Sequence, residues 1–268
     1  MENDVLRLVI FVGVLVLMMM LEALFPRKSR QQTRSKRWAS NLSLVVINSL
    51  TLKLLGPISA VAAASYAFDN NWGLLTFLPA QLPFFLEVIV GVVFLDFSVY
   101  IQHVASHKIP LLWRLHKVHH ADRDIDVTTG VRFHPLEAML SMVYKCGVVL
   151  LLGPLALAVV IFEVLLNASA MFNHANLRLP KLMDSILRKV IVTPDFHRVH
   201  HSVYVEETDS NYGFFLSIWD RLCGTHTAQP REGHQEMSIG LKRYQTAEPA
   251  KLSWCLITPF KKRNKQMD

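Results

Sequence analysis

The sequence is poor in what soluble enzymes and secreted domains rely on. Only three cysteines occur in 268 residues, Cys146, Cys223 and Cys255. Their number is odd and none forms a CxxC pair, which excludes a disulfide framework or a cysteine-built metal site and points to a reducing compartment. Charged residues make up only 18% of the chain against 51% hydrophobic. With a mean hydropathy of +0.29, that balance excludes an ordinary soluble domain. No low-complexity tract, solenoid repeat or domain linker breaks the chain. The net charge is +7, but the basic residues are spread through juxtamembrane segments, including the tail KKRNK, with no nucleic-acid motif. Attraction to anionic lipid headgroups accounts for that charge, and no nucleic-acid partner is expected.

What the chain has instead is long apolar runs. Residues 5–25 form one, broken only by Arg7 and Glu22. Acidic Glu2 and Asp4 precede it and no small-residue cleavage site follows, so it reads as a retained transmembrane helix rather than a secretory signal. A second apolar segment covers about 41–68, where Lys53 reads as snorkelling or facing a neighbour, and a third covers about 84–101. Residues 136–172 are too long for one span of about 20 residues. Gly153-Pro154 near the middle splits that block into a helical hairpin. The expected fold is all-α: an integral-membrane helical bundle of about three spans plus a hairpin, with a cytoplasmic histidine-rich helical cap. Residues 1–34 make the first helix and a basic loop, 35–260 the membrane domain, and 261–268 a basic tail.

Orientation follows from the loop PRKSRQQTRSKRW, which holds Arg27, Lys28, Arg30, Arg34, Lys36 and Arg37. The positive-inside rule places it in the cytoplasm. Counting spans from there puts every histidine on the same side, and a bacterial inner membrane is the expected setting.

Histidine is the residue the chain has in a pattern. Nine of its twelve fall in four windows: HVASH (His103, His107), HKVHH (His116, His119, His120), FNHAN (His174) and HRVHH (His197, His200, His201). Chance alone gives about 0.02 occurrences of HxxHH at this composition, so two are no accident. On a helix, positions i, i+3 and i+4 share a face, so each word projects three imidazoles one way. Nine imidazoles are too many for one zinc and suit two adjacent metals, one word serving each, with HVASH and FNHAN completing the shells. Asp96 lies two turns before His103 and is placed to accept that ring's second N–H. Glu163 and Asn167 form a polar stripe leading to His174. Residues 182–191 form a short amphipathic helix, and Trp113 marks an interfacial segment, so both words sit at the membrane boundary.

The ordered set HVASH, HKVHH, RFHPLE, FNHAN, TPDFHRVHHS and SNYGFFLSIWDRLCGT resembles the fatty acid hydroxylase/sterol desaturase superfamily over roughly residues 35–260. FNHAN and TPDFHRVHHS look most like its bacterial sterol-desaturase-type, alkylglycerol-monooxygenase-like branch. The resemblance implies a centre of two iron ions held by the nine histidines, with O2 as co-substrate and a membrane lipid as substrate. It implies hydroxylation, desaturation or ether cleavage, with electrons from a separate donor (cytochrome b5-like, ferredoxin or reductase), since no haem, flavin or iron–sulfur motif occurs. His134 in RFHP matches a recurring position and is placed, with Asn176 and Asn211, among residues that orient ligands rather than bind metal. His226 stands where Phe is more usual, and His234 reads as a surface residue. The oligomeric state stays open. Attack on an unactivated C–H bond needs a redox-active metal, which zinc is not. A zinc-dependent membrane hydrolase lacks HExxH and a glutamate beside a histidine pair. A metal transporter would want ligands at the bilayer midplane rather than at one end.

Overall fold

The computed structural model describes residues 2–54, 56, 58–77 and 82–261. Among these the regular structure is helical, with only three isolated β-bridges. The long elements are α1 (Glu2–Leu24), α2 (Arg34–Leu54), α3 (Ala60–Asp69), α4 (Phe84–Lys108), α5 (Pro110–His120), α6 (Pro135–Leu152) and α7 (Ala156–His174). Short helices follow: α8 (Lys181–Leu187), α9 (Pro194–His200), α10 (Val205–Thr208), α11 (Ile218–Leu222), α12 (Gly233–Glu236) and α13 (Leu252–Ile257).

Four described helices, α1, α4, α6 and α7, are long and apolar enough to cross a membrane. The expected span over 41–68 is instead a pair. Helix α2 opens with the polar stretch RSKRWASN, ends at Leu54, and is followed by Gly56 at φ +69°. Helix α3 then starts afresh, with Ser59 accepting from the Ala62 N–H as its N-cap. The pair still carries the chain across the bundle. Arg37 near the start of α2 meets Asp122 beyond α5, whereas a Cβ on Gly73, just after α3, would fall on the Gly153 backbone at the α6–α7 turn. Both glycines hold left-handed φ values, +122° and +66°, which this close approach requires.

The bundle packs on small residues. Ala60, Ala64 and Ala158 are buried with Val92, Leu95, Val159 and Phe162, letting α3, α4, α6 and α7 approach closely. Outward faces are apolar too: Val5, Val9 and Val12 of α1 are exposed, as lipid-facing positions should be. Leu182, Met183, Ile186 and Val190 are likewise exposed around α8, matching the amphipathic segment expected there. Strand-like alternation plays no part. Helices α4 and α7 end, and α6 begins, at one end of the bundle, and α5 and α9 lie there.

Four arginines of the basic loop are paired with acidic residues of the fold. Arg37 is fully buried and donates to Asp122 (2.7 Å) and Asp126 (2.8 Å), and to the Asp124 carbonyl. Arg27 donates to Asp195 at 3.0 Å, and Arg30 and Arg34 lie 3.2 and 3.6 Å from Glu22. Burial alone would raise the Asp122 pKa, but the Arg37 guanidinium outweighs it and holds that carboxyl well below the usual range. Removing one partner of such a buried set leaves uncompensated charge, at a cost of about 3–5 kcal/mol. Arg37→Met should therefore lower thermal stability in detergent by an amount of that order, whereas Arg34→Met, on a partly exposed pair, should cost under about 1 kcal/mol.

Candidate metal centre

Each histidine window is placed by a helix end. His103 and His107 occupy the last turns of α4, and His174 is the final residue of α7. Helix α5 begins with Pro110 at its first position and ends on His119 and His120. Helix α9 begins at Pro194, with Thr193 accepting from the Phe196 N–H, and His201 caps it. All nine side chains are removed from solvent; the His107 side chain is 1% exposed and the other eight residues at most 3%.

The rings form two groups whose ligand atoms lie within 4.8 Å of one another: His103, His107, His116, His120 and His200, and His119, His174, His197 and His201. This differs from one word per metal. HKVHH gives His116 and His120 to the first group but His119 to the second. HRVHH gives His197 and His201 to the second group but His200 to the first. Each helix hands its i, i+4 pair to one group and its i+3 ring to the other.

Hydrogen-bond accounting shows what the groups lack. The Nδ1 of His103 lies 2.7 Å from the Tyr212 carbonyl, that of His200 2.7 Å from the Ser210 carbonyl, and that of His174 2.7 Å from the Ala170 carbonyl. A carbonyl has no proton to give, so each Nδ1 donates and each Nε2 carries a bare lone pair. His116 Nδ1 is 2.6 Å from Glu137 Oε1 and is set the same way. Yet His103 Nε2 lies 3.0 Å from His200 Nε2 and 3.2 Å from His116 Nε2. Lone pairs facing one another without a proton between them call for a cation. Two nitrogens about 2.0–2.1 Å from one ion, 90–110° apart, would be separated by about 2.8–3.4 Å. The observed contacts, including 3.0 Å for His119–His174 and 3.1 Å for His107–His120 and His174–His197, fall in that window. Burial first, and neighbouring imidazoles second, push His119, His120, His197 and His201 well below the ordinary imidazole range. His200 is pushed down to about 3 by burial. All are therefore neutral at pH 7, the form that binds metal.

The surrounding residues divide clearly. Asn211 sits at φ +52°, a left-handed conformation that Asn tolerates. Its amide donates to the Phe196 and Thr227 carbonyls at 2.9 and 2.8 Å, so the flanking carbonyls of Ser210 and Tyr212 are aimed at His200 and His103. Asp96 does not touch His103, as the spacing suggested, because the Tyr212 carbonyl already takes that N–H. It accepts instead from the Phe215 and Leu216 N–H groups (3.3 and 3.1 Å) and from Trp219 Nε1 (2.7 Å), holding the segment that carries Tyr212. Asn176 exchanges hydrogen bonds with the Lys28 backbone at 3.0 and 2.8 Å. His134 caps α6, accepting from the Leu136 N–H at 3.2 Å, and joins neither group.

Glu163 and Asn167 lie away from the centre. Glu163 pairs with Arg7 at 2.6 Å and lies 3.7 Å from Lys145, and the Asn167 amide donates to the Glu163 carbonyl. Glu163 is eleven residues before His174, about 16 Å along the helix. His226 stacks on Phe196 and lies 3.2 Å from Asn211 Oδ1. His234 is buried rather than on the surface, 3.8 Å from Asp195 where α12 packs on α9, and burial pushes it down to about 4. Three contributors escaped the sequence reading. Glu137 backs His116, and the Phe133 ring stacks on His119 at 4.8 Å and 7°. Both lie in RFHPLE beside His134, but only the fold shows which histidine they meet. Gly130 is a third: a Cβ there would strike the Ala170 carbonyl that orients His174.

An all-helical bundle with membrane-length apolar helices gathers nine buried histidines into two groups at one end, each able to hold a metal ion. Residues 88–225 match the fatty acid hydroxylase family. This is just over half of the 268 residues, and the chain belongs to that family. It is similar to the ornithine lipid hydroxylase OlsE of Rhizobium tropici, 25% identical over 240 residues, covering 86% of this chain and 70% of that protein. It is 32% identical over 170 residues to the alkylglycerol monooxygenase of Xenopus tropicalis, covering 62% of this chain but only 35% of that protein. The chain thus spans about a third of the alkylglycerol monooxygenases it matches. A Delta(7)-sterol-C5(6)-desaturase of Nicotiana tabacum is 27% identical over 196 residues, covering 69% of this chain and 68% of its own. No solved structure matches the chain.

The partition of rings makes a test. His119→Ala should empty the group of four while His116 and His120, in the same word, keep the other ion. Metal content by plasma mass spectrometry should then fall by about half. Complete loss would show instead that the two groups do not hold their ions independently.

Proposed function

We propose that the protein is an integral-membrane di-iron oxidoreductase that uses O2 and electrons from a separate donor to hydroxylate or desaturate a lipid C–H bond. The observation that carries this is the convergence of buried imidazole nitrogens into groups of five and four, with the bare Nε2 lone pairs of His103, His116 and His200 facing one another. Such a set suits iron among redox metals. The names of its relatives, a lipid hydroxylase, a monooxygenase and a desaturase, support the reaction class. The nine histidines are the ligands in this reading, with Asn211, Asp96, Asn176 and Glu137 holding them or their backbone in place.

The bound metals would supply the O2 activation and one-electron chemistry that amino-acid side chains lack. The chain's own part is to hold the rings in fixed tautomers and to exclude water, since desolvation strengthens the field at the centre and suppresses side reactions. Glu137 is committed to His116, which argues against a free carboxylate base of the metallohydrolase kind. The active site is assigned to the cytoplasmic side of a bacterial inner membrane. The supporting feature is the Arg27–Arg37 run at the histidine end, where Arg27 and Lys28 bond Asn176. The donor is a ferredoxin, a cytochrome b5-like protein or a reductase.

Purified protein should carry two irons per chain, one for each group, and consume O2 only with NAD(P)H and a reductase chain. Cells expressing it should accumulate a lipid heavier by one oxygen or lighter by two hydrogens, and His200→Ala cells should not. Two zincs with no reductant-driven oxygen uptake would overturn the assignment.

A further inference from the structure

One cavity among the described residues has none of the nine histidines in its lining. It holds ≈370 Å³ between α5, α6 and the segment after α13. Leu111, Leu115, Leu136, Met139, Leu140 and Phe260 supply its apolar lining, and Arg114 joins them. On α5, Leu111, Arg114 and Leu115 stand at i, i+3 and i+4 and share one face. At about 100° per residue, His116 and His120 point to the opposite side. The cavity therefore lies on the side of α5 opposite His116 and His120, and none of the nine histidines lines it.

We propose that this cavity binds one acyl chain of an anionic phospholipid, with Arg114 taking the headgroup phosphate. Three observations select that occupant. The volume lies in the usual range of ligand pockets. Its rim is exposed and apolar, with Leu111, Leu136, Leu140 and Phe260 between 41% and 67% accessible, on one of the four membrane-crossing helices, so the bilayer is the solvent it meets. Arg114 is exposed, and among the described residues its Nε donates to the Pro259 carbonyl at 2.8 Å and one terminal nitrogen to the Lys261 carbonyl at 3.5 Å. A guanidinium over an apolar slot suits a phosphate-bearing lipid, since charge-assisted contacts to phosphate are the strong ones. The site stands independently of the reaction proposed for the metal centre.

Native mass spectrometry of the full-length protein in detergent, titrated with phosphatidylglycerol or phosphatidylethanolamine, tests this. Wild type should hold one phosphatidylglycerol about tenfold more tightly than phosphatidylethanolamine and unfold at a higher temperature in its presence. Met139→Trp, which fills the slot, should lose both lipids. Arg114→Gln should keep a lipid but lose the preference, and it decides the matter alone if Met139→Trp does not fold. Undiminished phosphatidylglycerol binding by a folded Met139→Trp protein would overturn the proposal. So would equal affinity of wild type for the two headgroups, or a lipid-free dimer buried on this face.

Discussion

Everything in this structure depends on keeping nine imidazoles dry and pointed at one another. Burying a polar group costs free energy unless it finds a partner, and a lone pair facing a lone pair finds none within the protein. The fold accepts that cost at one end of the bundle, where the Nε2 atoms of His103, His116 and His200 meet. It offsets part of it by giving the far nitrogen of His103, His200 and His174 a backbone carbonyl and that of His116 a carboxylate. The same contacts fix the tautomers, so support and function come from one set of hydrogen bonds.

Helix geometry explains why each HxxHH word is divided between the groups. Residues i and i+4 are about 40° apart on the wheel, while i+3 lies about 60° the other way. A helix passing between two sites can thus present its i, i+4 pair to one and its i+3 ring to the other. Helices α5 and α9 do this reciprocally, which sets the two groups side by side rather than at separate ends. The remaining rings break the symmetry: α4 adds two to the first group and α7 adds one to the second. Support is uneven too. In the group of four only His174 has its Nδ1 engaged, those of His119, His197 and His201 having no hydrogen-bond partner among the described residues.

The histidines were legible because their spacing is a helical property carried within five residues. Four of the membrane helices were legible because apolar length is enough to mark them. What failed was whatever needed a direction in space. Asp96 is on the right turn of α4, but the Tyr212 carbonyl, 109 residues beyond His103, reaches the ring first. Glu163 shares a periodicity with His174, but rise along the helix separates them. Arg37 looked like surface charge because its acidic partners, Asp122 and Asp126, lie 85 and 89 residues away. Composition registers net charge and cannot show which charges are already paired.

Those pairings give the N-terminal segment more than an anchoring role. Arg37 holds Asp122 and Asp126, directly beyond His120. Arg27 holds Asp195, two residues before His197. Glu22, wholly buried, accepts from the N–H groups of Val127 and Asn176, and Asn176 follows His174 by two residues and clasps the Lys28 backbone. Residues 22–37 therefore fasten three of the four ligand-bearing segments from the outside. The fourth, α4, is fastened from within, through Asp96 and the 212–219 segment. A basic loop that first reads as a topology signal is, in the folded chain, the strap that keeps α5, α7 and α9 in register about one centre.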